Sequence, residues 1–96
     1  MVTAQQDSVD SLLKTAALFS VLAAPIRLKI IGQLCKGESN VSQLLDVVHV
    51  SQPNISRHLG VLYQAGVVSK RRDGTHIFYQ IANEGVVDIC KAMCLQ

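Results

Sequence analysis

The hydrophobic repeat of this chain changes at Gly66, and that change restricts the fold more than any other feature. Before it, apolar side chains recur every three or four residues, the period of a helix with one buried face. Residues 67–81 instead read VVSKRR and THIFYQI, two β-rich runs joined by Asp73-Gly74, the dipeptide that most readily makes a two-residue hairpin turn. Helical spacing resumes from about Asn83 to Leu95, through Val86, Val87, Ile89, Cys90, Met93 and Cys94.

Four helical segments precede the change. The first runs from about Ser8 to Ala23, with Leu12, Leu13, Ala16, Phe19 and Leu22 in helical phase and Asp7 or Ser8 as its cap. Pro25 opens the second, where a missing N–H is tolerated; Ile26, Ile30, Ile31 and Leu34 form its stripe, and Gly37 offers a left-handed end. The third follows Asn40 as VSQLLDVVH, with Val41, Leu44, Leu45 and Val48 facing inward. A tight turn at His49 and Val50 leads to the fourth, capped by Ser51, with Pro53 in its first turn and Ile55, Leu59 and Leu62 as the buried stripe. The predicted order is ααααββα, a mainly α winged helix-turn-helix in one domain over 1–96, with the β-hairpin as the wing.

Composition suggests what surrounds that domain. With 49% of its 96 residues hydrophobic and 17% charged, the chain is apolar for its size. Small domains bury a modest share of their surface, so the excess predicts a homodimer through the first and last helices. A net charge of +2 and a pI near 8.6 neither require nor exclude nucleic acid. The N-terminus has no basic, apolar leader and no run approaches the ~18 residues of a membrane span, which predicts a cytoplasmic protein with no membrane contact. Three cysteines, an odd count without an export signal, predict thiols kept for packing, metal or redox work. No nucleophile beside a base, phosphate loop or carboxylate pair is apparent, so neither enzyme activity nor a cofactor is expected.

Two helices joined by a short turn, the second opening with small polar side chains, form the arrangement that enters the major groove of double-stranded DNA. Gln52, Asn54, Ser56 and Arg57 are short or forked donors suited to base edges or phosphates, and the helix start adds N–H groups for a phosphate. A polar helix start alone is more often merely solvated. The wing shifts that balance. Lys70, Arg71 and Arg72, three of the nine lysines and arginines, precede the turn with His76 across the hairpin, where a wing lies along phosphates. His58 falls beside the buried stripe, a position that suits packing or a phosphate better than a base.

The run from Leu18 to Ile81, above all LAAPIRLKII, SQPNISRHLGVLYQAGVV and RRDGTHIFYQI, resembles the ArsR/SmtB family of winged-helix repressors. The resemblance implies a homodimer that sits on an operator near a promoter and leaves it when an inducer binds. Members with a soft-metal site on the third helix carry Cys-Val-Cys where this chain has Asn40-Val41-Ser42. Members with an interfacial zinc-type site use Asp and His ligands on a last helix that here holds Glu84 and Asp88 but no histidine. Neither metal site is therefore expected.

Three thiols remain: Cys35 at the end of the second helix, and Cys90 and Cys94 one turn apart on the last. Each lies on an apolar stripe, where a buried cysteine commonly serves as a small hydrophobe. Some relatives sense reactive sulfur through one cysteine on the second helix and one on the last, at positions falling at Gly32 and a few residues beyond Cys94. By that resemblance, antiparallel helices bring Cys35 and Cys94 into reach through compensating one-turn shifts. The implied protein is a repressor released from DNA by reactive sulfur or an oxidant, with Cys90 a bystander. Two alternatives stand beside it. Cys35, Cys90 and Cys94 form a trigonal site for arsenite or another thiophilic ion, or the winged helix binds proteins and does not read DNA.

Overall fold

Caps and prolines set where the helices begin. The computed structural model describes residues 2–93, with side chains from Ser8 onward. Helix α1 (Val2–Leu22) starts earlier than its apolar pattern predicts, so Asp7 and Ser8 lie inside it rather than capping it. Helix α2 (Pro25–Leu34) starts at its proline as expected. Its end differs from the expected left-handed glycine. Cys35 continues in right-handed helical conformation, and Lys36 and Gly37 N–H groups donate to Gln33 and Leu34 carbonyls at 3.1 Å in a tightening last turn. Helix α3 (Val41–Val47) is closed by a capping box: Asn40 Oδ1 accepts the Gln43 N–H at 2.9 Å and Gln43 Oε1 accepts the Asn40 N–H at 2.8 Å.

Helix α4 (Gln52–Gln64) ends in a Schellman motif, in which Gly66 at φ 75° lets its own N–H reach the Tyr63 carbonyl and the Val67 N–H reach the Leu62 carbonyl. The chain turns there into strand β2 (Val68–Asp73), which pairs antiparallel with β3 (His76–Ile81). The pairing sets Asp73 opposite His76, so the two-residue loop is Gly74-Thr75, one position beyond the expected Asp73-Gly74, and Gly74 supplies the positive φ of 64°. A strand that the sequence reading lacked, β1 (Ser39–Asn40), pairs with the far side of β3 and makes a three-stranded sheet of order β1-β3-β2. Helix α5 (Glu84–Met93) follows, its first N–H groups at Gly85 and Val86 accepted by Asn83 Oδ1. The expected extension to Leu95 lies outside the described residues.

The core is aliphatic. Ile30, Ile31 and Leu34 of α2, Leu44 and Val48, and Ile55, Leu59 and Leu62 of α4 pack with Val67, Val68, Val86 and Cys90. Burying each such side chain contributes roughly 1.5–3 kcal/mol. Ile26, Val41 and Leu45, expected inside, are half-buried at its margin. This packing fixes α4 by one face and leaves its opposite face outward, beside the wing.

Candidate nucleic-acid interface

Ser51 Oγ accepts the Asn54 N–H at 3.3 Å, and Pro53 occupies the first turn of α4, so the helix start is stiff. Gln52, Ser56 and Arg57 are exposed there and Asn54 is half-buried. Arg57 Nη2 donates to Asn54 Oδ1 at 2.7 Å, one turn back along the helix. The expected reading side chains thus stand together, and two of them hold each other's rotamers.

His58, expected among the DNA-contacting residues, turns inward and is only 8% exposed. Its Nδ1 accepts a hydrogen bond from Arg27 Nε at 3.1 Å, while Arg27 Nη1 donates to the Val21 carbonyl at 2.8 Å. Desolvation, with the charges of Arg57 and Arg27, pushes the imidazole below its ordinary pKa. A neutral ring suits the acceptor role, so His58 ties α4 to α2 and the end of α1.

The wing cations divide by the alternation of the strand. Lys70 and Arg72 share a face with their partners Tyr79 and Ile77, and Lys70 Nζ lies 4.3 Å above the Tyr63 ring of α4. Arg71 faces the other way. Its Nε and Nη2 donate to the two carboxylate oxygens of Glu38 at 2.8 and 2.6 Å, and its guanidinium stacks 4.8 Å from the centre of the Phe78 ring. Asp73 Oδ2 stands 3.8 Å from the same guanidinium. The hydrogen bond from Arg71 holds the Glu38 carboxyl below the usual carboxylate range. Arg72 is exposed and makes no side-chain hydrogen bond or ion pair among the described residues. His76 is exposed beside the turn.

Two clefts join wing and helix. One of about 230 Å³ lies between Asn40, Ser42, Gln52 and the turn residues Thr75 and His76. The other, of about 670 Å³, is lined by Arg57, Gly60, Gln64 and Lys70. Sequence reasoning missed Glu38, Arg27, Tyr63 and Phe78. Of these only Tyr63 had a local signal, its place at the edge of the buried stripe of a helix already assigned; the others gain their roles from partners distant in sequence.

The structure joins Cys35 and Cys90 as a disulfide with Cα atoms 7.0 Å apart. Cys90 follows Val86 by one turn on the buried face of α5, while Cys35 at the cap of α2 is partly exposed. Cys94 lies outside the described residues, and with it the expected Cys35–Cys94 pair and the three-thiol site. Among the described residues no group of three His, Cys, Asp or Glu side chains converges as a metal site would require. No single described helix is long and apolar enough to cross a membrane.

The described elements form a winged helix-turn-helix. Residues 24–70 match the model of the bacterial regulatory protein arsR family. Over 80 residues the chain is 36% identical to the biofilm growth-associated repressor of Agrobacterium fabrum, covering 83% of this chain and 68% of that protein. It is 40% identical over 72 residues to the transcriptional repressor SmtB of Mycobacterium tuberculosis, covering 75% of this chain. The chain spans only 53% of the length of that relative. Among solved structures, the homodimeric winged helix-turn-helix DNA-binding domain of a possible ArsR-family regulator from Mycobacterium bovis superposes with a TM-score of 0.80 at 28% identity, covering 92% of this chain and 82% of that one. The chain belongs to the arsR family of bacterial regulatory proteins.

Proposed function

We propose that this chain is a sequence-specific DNA-binding transcriptional repressor that acts as a homodimer, and that a thiol–disulfide change at Cys35 and Cys90 governs its hold on DNA. The observation that carries the DNA reading is the pairing of an exposed, donor-rich start of α4 with an exposed basic wing across shared clefts. In this reading α4 enters the major groove with Gln52, Asn54, Ser56 and Arg57 at base edges and phosphates. Lys70 and Arg72 follow the adjacent backbone from one face of the wing, and His76 does so from beside its turn.

Support for the homodimer comes from what α1 and α5 leave uncovered. Leu12, Leu13, Phe19 and Met93 are 69, 65, 54 and 67% exposed. An apolar groove of about 480 Å³ is lined by Phe19, Leu22, Leu28, Ile89 and Met93. A second copy of the same face is the occupant that the homodimeric Mycobacterium bovis neighbour suggests.

The switch follows from the pairing of two thiols. An oxidant of the peroxide class takes two electrons and two protons from Cys35 and Cys90 and is reduced to water as the S–S bond forms. Cys35 is the partly exposed partner and receives the oxidant; buried Cys90 completes the bond. A link between α2 and α5 ties the α5 face to α2, which Arg27 and His58 join to the reading helix α4, and a hundredfold release needs only ~2.8 kcal/mol of differential affinity.

A duplex selected from a random pool by the reduced chain provides the test. Reduced protein is expected to bind it, peroxide to release it, and Cys35→Ser and Cys90→Ser to stay bound after oxidation. If both variants release like the wild type, the disulfide reading fails. Stronger release by arsenite, lost on Cys94→Ser, would replace it by the three-thiol site. Failure to enrich any sequence would favour a protein-binding role.

A further inference from the structure

Three basic side chains sit in a row before the turn of the wing, yet they do not have equal access to a phosphate. Lys70 and Arg72 point to one face of the sheet and Arg71 to the other. On that other face Glu38, Phe78 and Arg71 belong to three different strands or their ends. Glu38 precedes β1, Phe78 lies in the middle strand β3 opposite Arg71, and Arg71 is in β2. The carboxylate reaches across the middle strand, takes both donors of the guanidinium fork, and leaves the ring of Phe78 beneath it. A bidentate fork fixes two planes relative to each other, which a single point contact does not.

We infer that Arg71 is a positioning residue and not a phosphate contact: with Glu38 it latches the wing to the segment that caps α3. This rests on the reading of the chain as a DNA-binding protein. Glu38 is two residues before Asn40, whose side chain closes the first turn of α3. The latch therefore joins the wing to the segment that leads into the helix-turn-helix, over a β1 only two residues long. Two residues of ladder give few hydrogen bonds to hold the far side of β3. The latch adds a second tie on that side. Its guanidinium charge is already offset by Glu38, with Asp73 close by, so Arg71 releases little counterion on binding DNA, whereas Arg72 on the opposite face keeps its full charge for phosphate.

The latch and the phosphate contact leave different marks on salt dependence. A lost phosphate contact flattens the plot of log affinity against log salt by about 0.9 of a unit; a loosened wing lowers affinity at every salt and leaves the slope alone. Full-length variants Glu38→Ala, Arg71→Ala, Arg72→Ala and the swapped pair Glu38→Arg with Arg71→Glu are titrated with the duplex selected by the wild type. Amide hydrogen exchange over 70–78 is measured without DNA. Arg71→Ala and Glu38→Ala are each expected to lose several-fold in affinity at unchanged slope and to exchange faster in the wing. The swap restores both, and Arg72→Ala alone flattens the slope.

A slope that falls for Arg71→Ala as it does for Arg72→Ala would overturn the assignment. So would tighter binding by Glu38→Ala, or a swap that restores nothing. If the wild type binds no duplex, the DNA reading fails instead. The exchange measurement still decides the latch, because equal wing exchange in wild type and Glu38→Ala removes it.

Discussion

At the scale of single residues, the start of α4 acts as pairs rather than as a row of independent donors. Arg57 donates to the Asn54 side chain, and the Asn54 backbone N–H is accepted by Ser51 Oγ. Arg57→Ala is expected to lose about 1–3 kcal/mol of discrimination at one base position. Asn54→Ala, which frees the guanidinium, should lose part of the same energy, so the double variant falls short of the sum in quantitative binding assays. Equal loss on all sequences would make Arg57 a phosphate contact. His58 gives a second test. Its folded-state pKa lies below the ordinary 6.5, so as pH falls below that value the unfolded chain takes up a proton that the folded chain refuses. Stability should therefore fall as pH drops through and below 6.5. Replacing His58 by Asn should remove that part of the slope in urea denaturation, and an identical pH profile in the variant would remove the buried, neutral imidazole from the account.

At the scale of elements, the bond between α2 and α5 closes a loop of 55 residues. Chain entropy alone assigns such a cross-link about 4 kcal/mol, an upper figure because reduced chains retain structure. Urea midpoints should drop on reduction in the wild type and stay fixed in Cys35→Ser and Cys90→Ser; no change on reduction would mean that the bond does not form in solution. The same elements show how far the sequence could be read. The cap and stripe of α4 are local, written in Ser51, Pro53, Ile55, Leu59 and Leu62, and they appear where the spacing places them. The hairpin was legible in its two β-rich runs and the Asp73-Gly74 between them, though its loop fell one residue on because pairing of Asp73 with His76 is decided across strands. Strand β1 is too short to alternate, and α1 continues past the apolar residues that marked it. Which thiol meets Cys35 depends on the rotation of α5. Apolar Val86, Val87, Ile89 and Met93 surround that helix, so spacing alone left the rotation open. Arg71 read as one cation among three because its partner lies 33 residues away.

At the scale of the whole molecule, the uncovered faces of α1 and α5 are where the proposed homodimer is put to the test. One reading helix per chain contacts one half-site; two, placed about 34–36 Å apart, enter successive grooves. Leu12→Glu with Phe19→Asp, both on surface the protomer leaves exposed, should keep the fold by circular dichroism, sediment as monomer at micromolar concentration, and lose the selected duplex. A wild type that sediments as a monomer, or a variant that stays dimeric, would move the interface elsewhere. That greasy outer face of α1 also bears on how the regulator responds to its own supply. While most copies are single, the number of pairs grows as the square of the number of chains made. For the proposed homodimer, a twofold dip in synthesis then costs a fourfold loss of pairs, and, where operators are far from saturated, a fourfold loss of occupied sites.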